Sequence, residues 1–210
     1  MILVIGNKRL SSWSLRPWLM LKQFEIPFEE KLIPLDQPST RSEILQYTES
    51  GKVPVLVDGD LTVWDSLAIA EYLNEKFPQK QMWPKDLKWR ALARAVSCEM
   101  HSGFQVMRMH MSHDLQKQLT NFDYSKAQAD IDRVKEIWTN CLALSGGPFL
   151  FGAFSIADAM YAPVVNRFVS YGVPSVSVCS EYIKTIRDLS SHADWISAGM
   201  KETYEAPLHS

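Results

Sequence analysis

Cysteine is scarce in this chain of 210 residues: there are three, Cys98, Cys141 and Cys179, an odd number at wide spacing. That pattern argues against a disulfide framework and for a reducing compartment, so a cytoplasmic setting is expected. No Cys-x-x-Cys occurs, and no His and Cys set has zinc-site spacing. The nearest approach is His101, His110 and His113, the last two a helical turn apart. These read as a solvated or mixed helix face, and no metal is expected. No apolar run approaches the roughly 20 residues a membrane span needs, so no membrane partner is expected. The opening Met1-Ile2-Leu3-Val4-Ile5-Gly6 is short and has no basic leader; it reads as a buried first strand, not a signal peptide. A formal charge of -2 gives no basic footprint, so nucleic acid is not an expected partner. No internal repeat and no low-complexity tract occurs. What is present, 46% hydrophobic and 22% charged residues, suits one large globular domain or two small ones.

The stretch from Lys52 to Leu73 carries the most information. Two short β-rich runs flank Asp58-Gly59-Asp60, a hairpin turn signal. The second run stops at Asp65-Ser66. Leu67, Ala70, Leu73 and Phe77 then recur at helical spacing. The order is hairpin, acid-hydroxyl pair, helix. A helix start offers free N–H groups and a partial positive charge, and so can hold an anion. Ser66 adds a hydroxyl there, and Asp65 a carboxylate that can hold an ammonium group. Together they suit the zwitterionic head of an amino acid. Just upstream, the backbone beside Val53-Pro54 can pair with an extended peptide if that bond is cis. The plainer reading is an N-capped helix after a hairpin, with Pro54 as a strand start.

Periodicity predicts a strand over residues 2–6, a polar loop from Asn7 to Ser12 and a helix from about Trp13 to Phe24. Pro17 falls in the first turn of that helix, where it is tolerated. A second strand lies within Phe28 to Leu35, and a short helix within Pro38 to Tyr47. With the hairpin and the helix ending at Phe77, this β-α-β-α-β-β-α order is that of a thioredoxin-like α/β domain. The first unit thus spans 1–78, a linker spans 79–86, and an all-helical unit spans 87–210. In the second unit, helices are expected from Leu87 to Leu119 with a break near Gly103, and from Tyr124 to Leu144. Ser145-Gly146-Gly147-Pro148 breaks the pattern. A further helix runs to about Tyr171, and two shorter ones lie near 180–190 and 192–203. Ser155 and Asp158 fit a capping box, which explains both without a catalytic role.

The Val53-Pro54 and Asp65-Ser66 elements with the following helix resemble the glutathione-binding half of cytosolic glutathione transferases. The resemblance of pattern extends over essentially the whole chain. It implies a thioredoxin-like N-terminal domain with an all-helical C-terminal domain, glutathione as co-substrate and a two-fold homodimer. The loop Ser11-Ser12-Trp13-Ser14-Leu15-Arg16 is similar to the Ser-Ser-Cys-Ser-x-Arg motif of the zeta class, and to the tau-class serine five residues before Arg. Carried over, the serine that activates the thiol falls on Ser11, with Ser12 and then Ser14 next. Redundant N-capping is the plainer reading of all three. Trp13 stands where the zeta class has cysteine. That departure points away from a maleylacetoacetate isomerase, and from members that use a cysteine to reduce mixed disulfides.

The chemistry follows from the thiol. A free thiol titrates near ~8.5, so little thiolate exists at neutral pH. A hydroxyl donating to the sulfur, and the positive end of a helix, both favour the charged form. Lys52 is the first candidate for the glycine carboxylate of glutathione and Arg41 the second; a solvated lysine is the plainer reading of Lys52. Arg16 reads as an ion-pair tie between the domains. Trp13, Phe104, Met107 and Arg108 are the candidate lining for a small apolar electrophile, although a core role explains most of the methionine-rich helix. Conjugation of glutathione to an electrophile is the leading expectation. A zeta-type isomerase and a non-catalytic glutathione-binding stress protein are the alternatives.

Overall fold

A computed structural model describes residues 1–175 and 177–203. Alternation of side chains along short strands sets the first layer. The strands β1 (Ile2–Ile5), β2 (Glu29–Leu32), β3 (Val55–Asp58) and β4 (Leu61–Val63) form one sheet in the order β2-β1-β3-β4. β1 runs parallel to β2 and antiparallel to β3, and β3 and β4 form the expected hairpin. Gly59 takes φ +64° at its turn, a conformation that favours glycine. Leu3, Ile5 and Leu56 point to one face of the sheet, and Val4 and Val55 to the other.

The first face is covered by helices α1 (Ser12–Gln23) and α3 (Ser66–Lys76). Ile44 of the short helix α2 (Thr40–Ile44) packs with Val4 and Val55 on the second. Beyond them lie α4 (Leu87–Ser102), α5 (Gln105–His110), α6 (Gln128–Ser145), α7 (Ile156–Ser170), α8 (Ser177–Arg187) and α9 (Ser190–Met200). Two halves are evident in element type, but not in packing. One apolar core runs from Leu3 through α1 to Trp195. The stretch expected as a linker takes part in it: Met82 and Trp83 are buried, and Met82 O accepts from Ile156 N at 3.0 Å.

The long helix expected from Leu87 to Leu119 ends at Ser102. A Cβ at Gly103 would stand 2.7 Å from Glu99 O, so the chain crosses its own helix end there, and Phe104 turns through the left-handed region. α5 then stops at His110. His110 and His113 therefore do not share a helix face. His113 is buried against Asn166, while His110 meets Asp123 O. Among the described residues, no helix is long and apolar enough to cross a membrane, and no three His, Cys, Asp or Glu residues gather as metal ligands.

Ser155 and Asp158 form the expected cap. The fully buried Asp158 carboxylate accepts from the Ser155 N–H and hydroxyl (both 2.9 Å), from Leu150 N–H (3.0 Å) and from Tyr182 OH (3.1 Å). Burial nonetheless pushes its pKa up to about 6, against the pull of those donors. Replacing Asp158 by Ala strips four donors of their acceptor, and should cost about 3 kcal/mol in urea unfolding.

Burial has the opposite consequence for two histidines. It holds His113 at about 3 and His192 at about 4, both below the ordinary 6.5. The unfolded chain therefore binds more protons below 6.5, and stability falls as the pH drops through that region. Asp158 works the other way, since its contribution is present below 3.8 and lost as the pH rises through about 6. Neither ring nitrogen of His192 has a hydrogen-bond partner among the described residues. His192→Leu should flatten the acid limb of stability by up to about 1.4 kcal/mol per pH unit, measured by urea unfolding at successive pH values. An unchanged slope would contradict a native His192 that stays neutral.

Candidate functional site

Two helix starts meet beside the start of β3. The start of α1 is folded by its serines. Ser11 N-caps the helix, accepting from Ser14 N (3.2 Å), and its hydroxyl donates to Ser14 Oγ (2.7 Å). Ser14 Oγ in turn accepts from Gly6 N (3.1 Å), closing the corner between β1 and α1. Ser12 Oγ accepts from Arg167 Nη2 on α7 (3.5 Å). All three serines are buried. The loop is also held from the helical half. Arg9 makes a two-point ion pair with Asp114 (2.7 and 2.8 Å), and the Lys8 and Arg9 N–H groups donate to the Glu202 carboxylate.

The start of α3 is capped by Asp65. Its Oδ1 accepts from Leu67 N (3.1 Å) and Ala68 N (3.3 Å). Its Oδ2 pairs with His101 Nε2 on α4 at 2.8 Å. Ser66, the first helical residue, contributes an N–H that the helix cannot satisfy internally. Ser66 Oγ accepts from Arg16 Nη1 at 3.4 Å.

Between these starts lies a cavity of about 360 Å³, lined by Trp13, Ser50, Lys52, Val53, Pro54, Trp64, Asp65 and Ser66. Six of these eight are residues singled out from the sequence. The Val53-Pro54 bond is cis. Ser50 and Trp64 join the lining without a sequence signal of their own, although they are near neighbours of Lys52 and Asp65 in the chain. Ser50 Oγ accepts from Lys52 N (3.3 Å), and Trp64 is 49% exposed at the rim.

Not every candidate gathers here. Ser11, Ser12 and Ser14 are buried at the α1 start and do not line the cavity. Arg41 packs its guanidinium against Gly51, on the approach and outside the lining. Phe104 and Met107 belong to the core, because the break at Gly103 turns them inward; Met107 is fully buried. Arg108 is turned back onto the carbonyls of Met100 and Gly103, yet its Cζ lies 4.7 Å from the centre of the Trp13 ring.

Among the described residues, Arg16 forms no carboxylate ion pair between the domains. It is fully buried, lies over Trp13 at 4.2 Å and touches Ser66, while its Nε and Nη2 have no hydrogen-bond partner among the described residues. Burial first, then Arg108 and Arg167, hold its pKa well below the ordinary value. Burial also lowers Arg108, and it lowers Arg167 to about 10 with help from Arg108. The result is a positive field behind Ser66 and a negative carboxylate at Asp65, side by side. Such a site can take a carboxylate and an ammonium at once.

Comparison with known proteins bears on the family and the fold. Residues 10–76 match the glutathione S-transferase N-terminal domain, and residues 113–198 the C-terminal domain. The chain is 30% identical over 164 residues to a probable maleylacetoacetate isomerase 2 of Drosophila melanogaster, covering 73% of this chain and 68% of that one. It is 44% identical over 82 residues to glutathione S-transferase 1 of Dianthus caryophyllus, 39% of this chain and 36% of that protein. With other curated relatives the match spans as little as 22% of their length. A glutathione transferase homolog from Burkholderia, solved with bound glutathione, superposes with TM-score 0.73 at 23% identity, over 96% of this chain and 98% of that one. The chain belongs to the glutathione S-transferase family.

The Asp65 cap is separable from any ligand role by stability alone. Asn retains the cap oxygen, so Asp65→Asn should stay within a few tenths of a kcal/mol of the parent, whereas Asp65→Ala should lose about 1 kcal/mol in urea unfolding.

Proposed function

We propose that this chain is a glutathione transferase of the serine type, working in the cytoplasm as a homodimer on small electrophiles. The observation that carries the reading is the cavity at the α3 start, where Asp65 and Ser66 face Lys52, Val53 and Pro54. The γ-glutamyl carboxylate of glutathione meets the Ser66 N–H and hydroxyl, in the positive field of Arg16 and the helix end. Its ammonium meets Asp65. The peptide backbone lies along Val53, and the glycine carboxylate reaches Lys52, with Arg41 on the approach.

The sulfur then lies toward the α1 start. There Ser11 supplies the hydroxyl that stabilises thiolate, with Ser12 next in order. The Ser11 hydroxyl donates its hydrogen bond to Ser14 Oγ in the present arrangement, and rotation about the Cβ–Oγ bond redirects it. Ser14, fully buried and accepting from Gly6 N, holds the corner. The thiolate attacks the electrophile: a carbon–sulfur bond forms, and the leaving group departs with the bonding pair. The protein sets the thiol's protonation state and its position, while the nucleophile belongs to the ligand. Trp13 and Trp64 wall the electrophile's space, with Arg108 over Trp13.

A second reading is favoured by one finding, the relative named as a probable maleylacetoacetate isomerase that matches 73% of this chain. An isomerase would use the same thiol and return it after turnover. Assay of a cis-dienedione beside an aryl halide separates the two.

Glutathione should bind to the parent protein by calorimetry. Ser11→Ala should then reduce conjugation of an aryl halide by ~100-fold, with the larger share in kcat. Unchanged turnover would remove Ser11 from the chemistry.

A further inference from the structure

The helical half reaches into the site at one point that the reading above does not use. His101, on the last turn of α4, places Nε2 2.8 Å from Asp65 Oδ2. Asp65 Oδ1 is already committed to the helix cap through Leu67 N and Ala68 N. A ligand ammonium that approaches Asp65 must therefore share or take the oxygen that His101 holds. The imidazole is fixed where it is. Its edge packs on Trp13 at 5.3 Å between ring centres, and its Nδ1 is buried without a partner among the described residues.

We propose that His101 is a specificity-determining residue for the ligand's amino end, admitting an ammonium to Asp65 when the imidazole is neutral and barring it when the imidazole is charged. This rests on the glutathione reading of the cavity. A neutral ring donates one hydrogen bond and leaves the Asp65 charge for the incoming cation. A protonated ring neutralises that charge and repels the ammonium across the shared oxygen.

The charged groups facing His101 are Asp65 at the α3 cap, Arg16 on α1 and Arg108 on α5. Asp65 favours the imidazolium. Burial and the two guanidinium groups oppose it, and burial is the strongest influence, so the ring titrates below its ordinary 6.5. The neutral, admitting form is therefore the one present at neutral pH. The gate closes only on the acid side.

The test uses S-methylglutathione, which has no titrating thiol, and the same ligand lacking its amino group. Calorimetry follows both between pH 7.5 and 5 on the whole chain. The parent protein should bind S-methylglutathione at pH 7.5 and lose ~3-fold or more in affinity by pH 5. His101→Gln should abolish most of that pH dependence. In the parent protein, the ligand without the amino group should show little of it, an arm that needs no folded variant. The inference is overturned if either the variant or the deaminated ligand weakens with acid as the parent pair does. Absence of any binding at pH 7.5 would overturn the glutathione reading itself, and this inference with it.

Discussion

The first helix is buried on nearly every side, and the rest of the molecule is arranged around that fact. From Ser14 to Leu21 each of its residues is buried. One flank covers the sheet face that carries Leu3 and Ile5, and the other packs on α7. An element enclosed in this way cannot shift when a neighbour moves, because interiors are packed to near-crystalline density. The same enclosure takes Arg16 and Ser14 out of water. A buried guanidinium is tolerated only with compensation. Arg16 receives part of it from Ser66 Oγ, from the Trp13 ring and from the charge of Asp65. The core thus imposes a fixed positive field on the start of α3, where the cavity opens.

The site is therefore a product of two helix ends and one buried cation, assembled by the fold before any ligand arrives. Each helix end carries a partial positive charge within its first turn. Both lie where the reading requires a negative group, a carboxylate at α3 and a thiolate toward α1. Asp65 supplies the single opposite charge, and its cap hydrogen bonds fix its orientation. Preorganised dipoles of this kind need no reorganisation when charge develops, which is why they serve catalysis better than mobile water does.

Much of this was legible in the chain. Hairpin, acid-hydroxyl pair and helix follow one another in a short stretch of sequence, so local rules predict that Val53, Pro54, Asp65 and Ser66 lie near one helix start, and all four line the cavity. The capping box at Ser155 and Asp158 was read in the same way. What was not legible depends on contacts distant in sequence. His101 meets Asp65 only because α4 ends beside α3. Met107 and Phe104 carry an amphipathic pattern that fits a pocket wall and a core equally well, and the turn at Gly103 decides for the core. Spacing puts the three serines at a helix start, but it does not reveal that Ser14 closes the β1–α1 corner while Ser11 donates a hydrogen bond to it. Trp64 is not legible in the same way, because an exposed aromatic beside an acid-hydroxyl pair has no periodic signature.

The central claim is that the acid-hydroxyl pair at the α3 start receives the amino-acid head of glutathione, with the sulfur directed toward the α1 serines. A crystal of the chain grown with glutathione tests it most directly. The account predicts the γ-glutamyl carboxylate on the Ser66 N–H, the ammonium within hydrogen-bond reach of Asp65 and the sulfur nearest the Ser11 hydroxyl. Glutathione seated elsewhere on the molecule, or lying in this cavity with its amino-acid head away from Asp65 and Ser66, would contradict it.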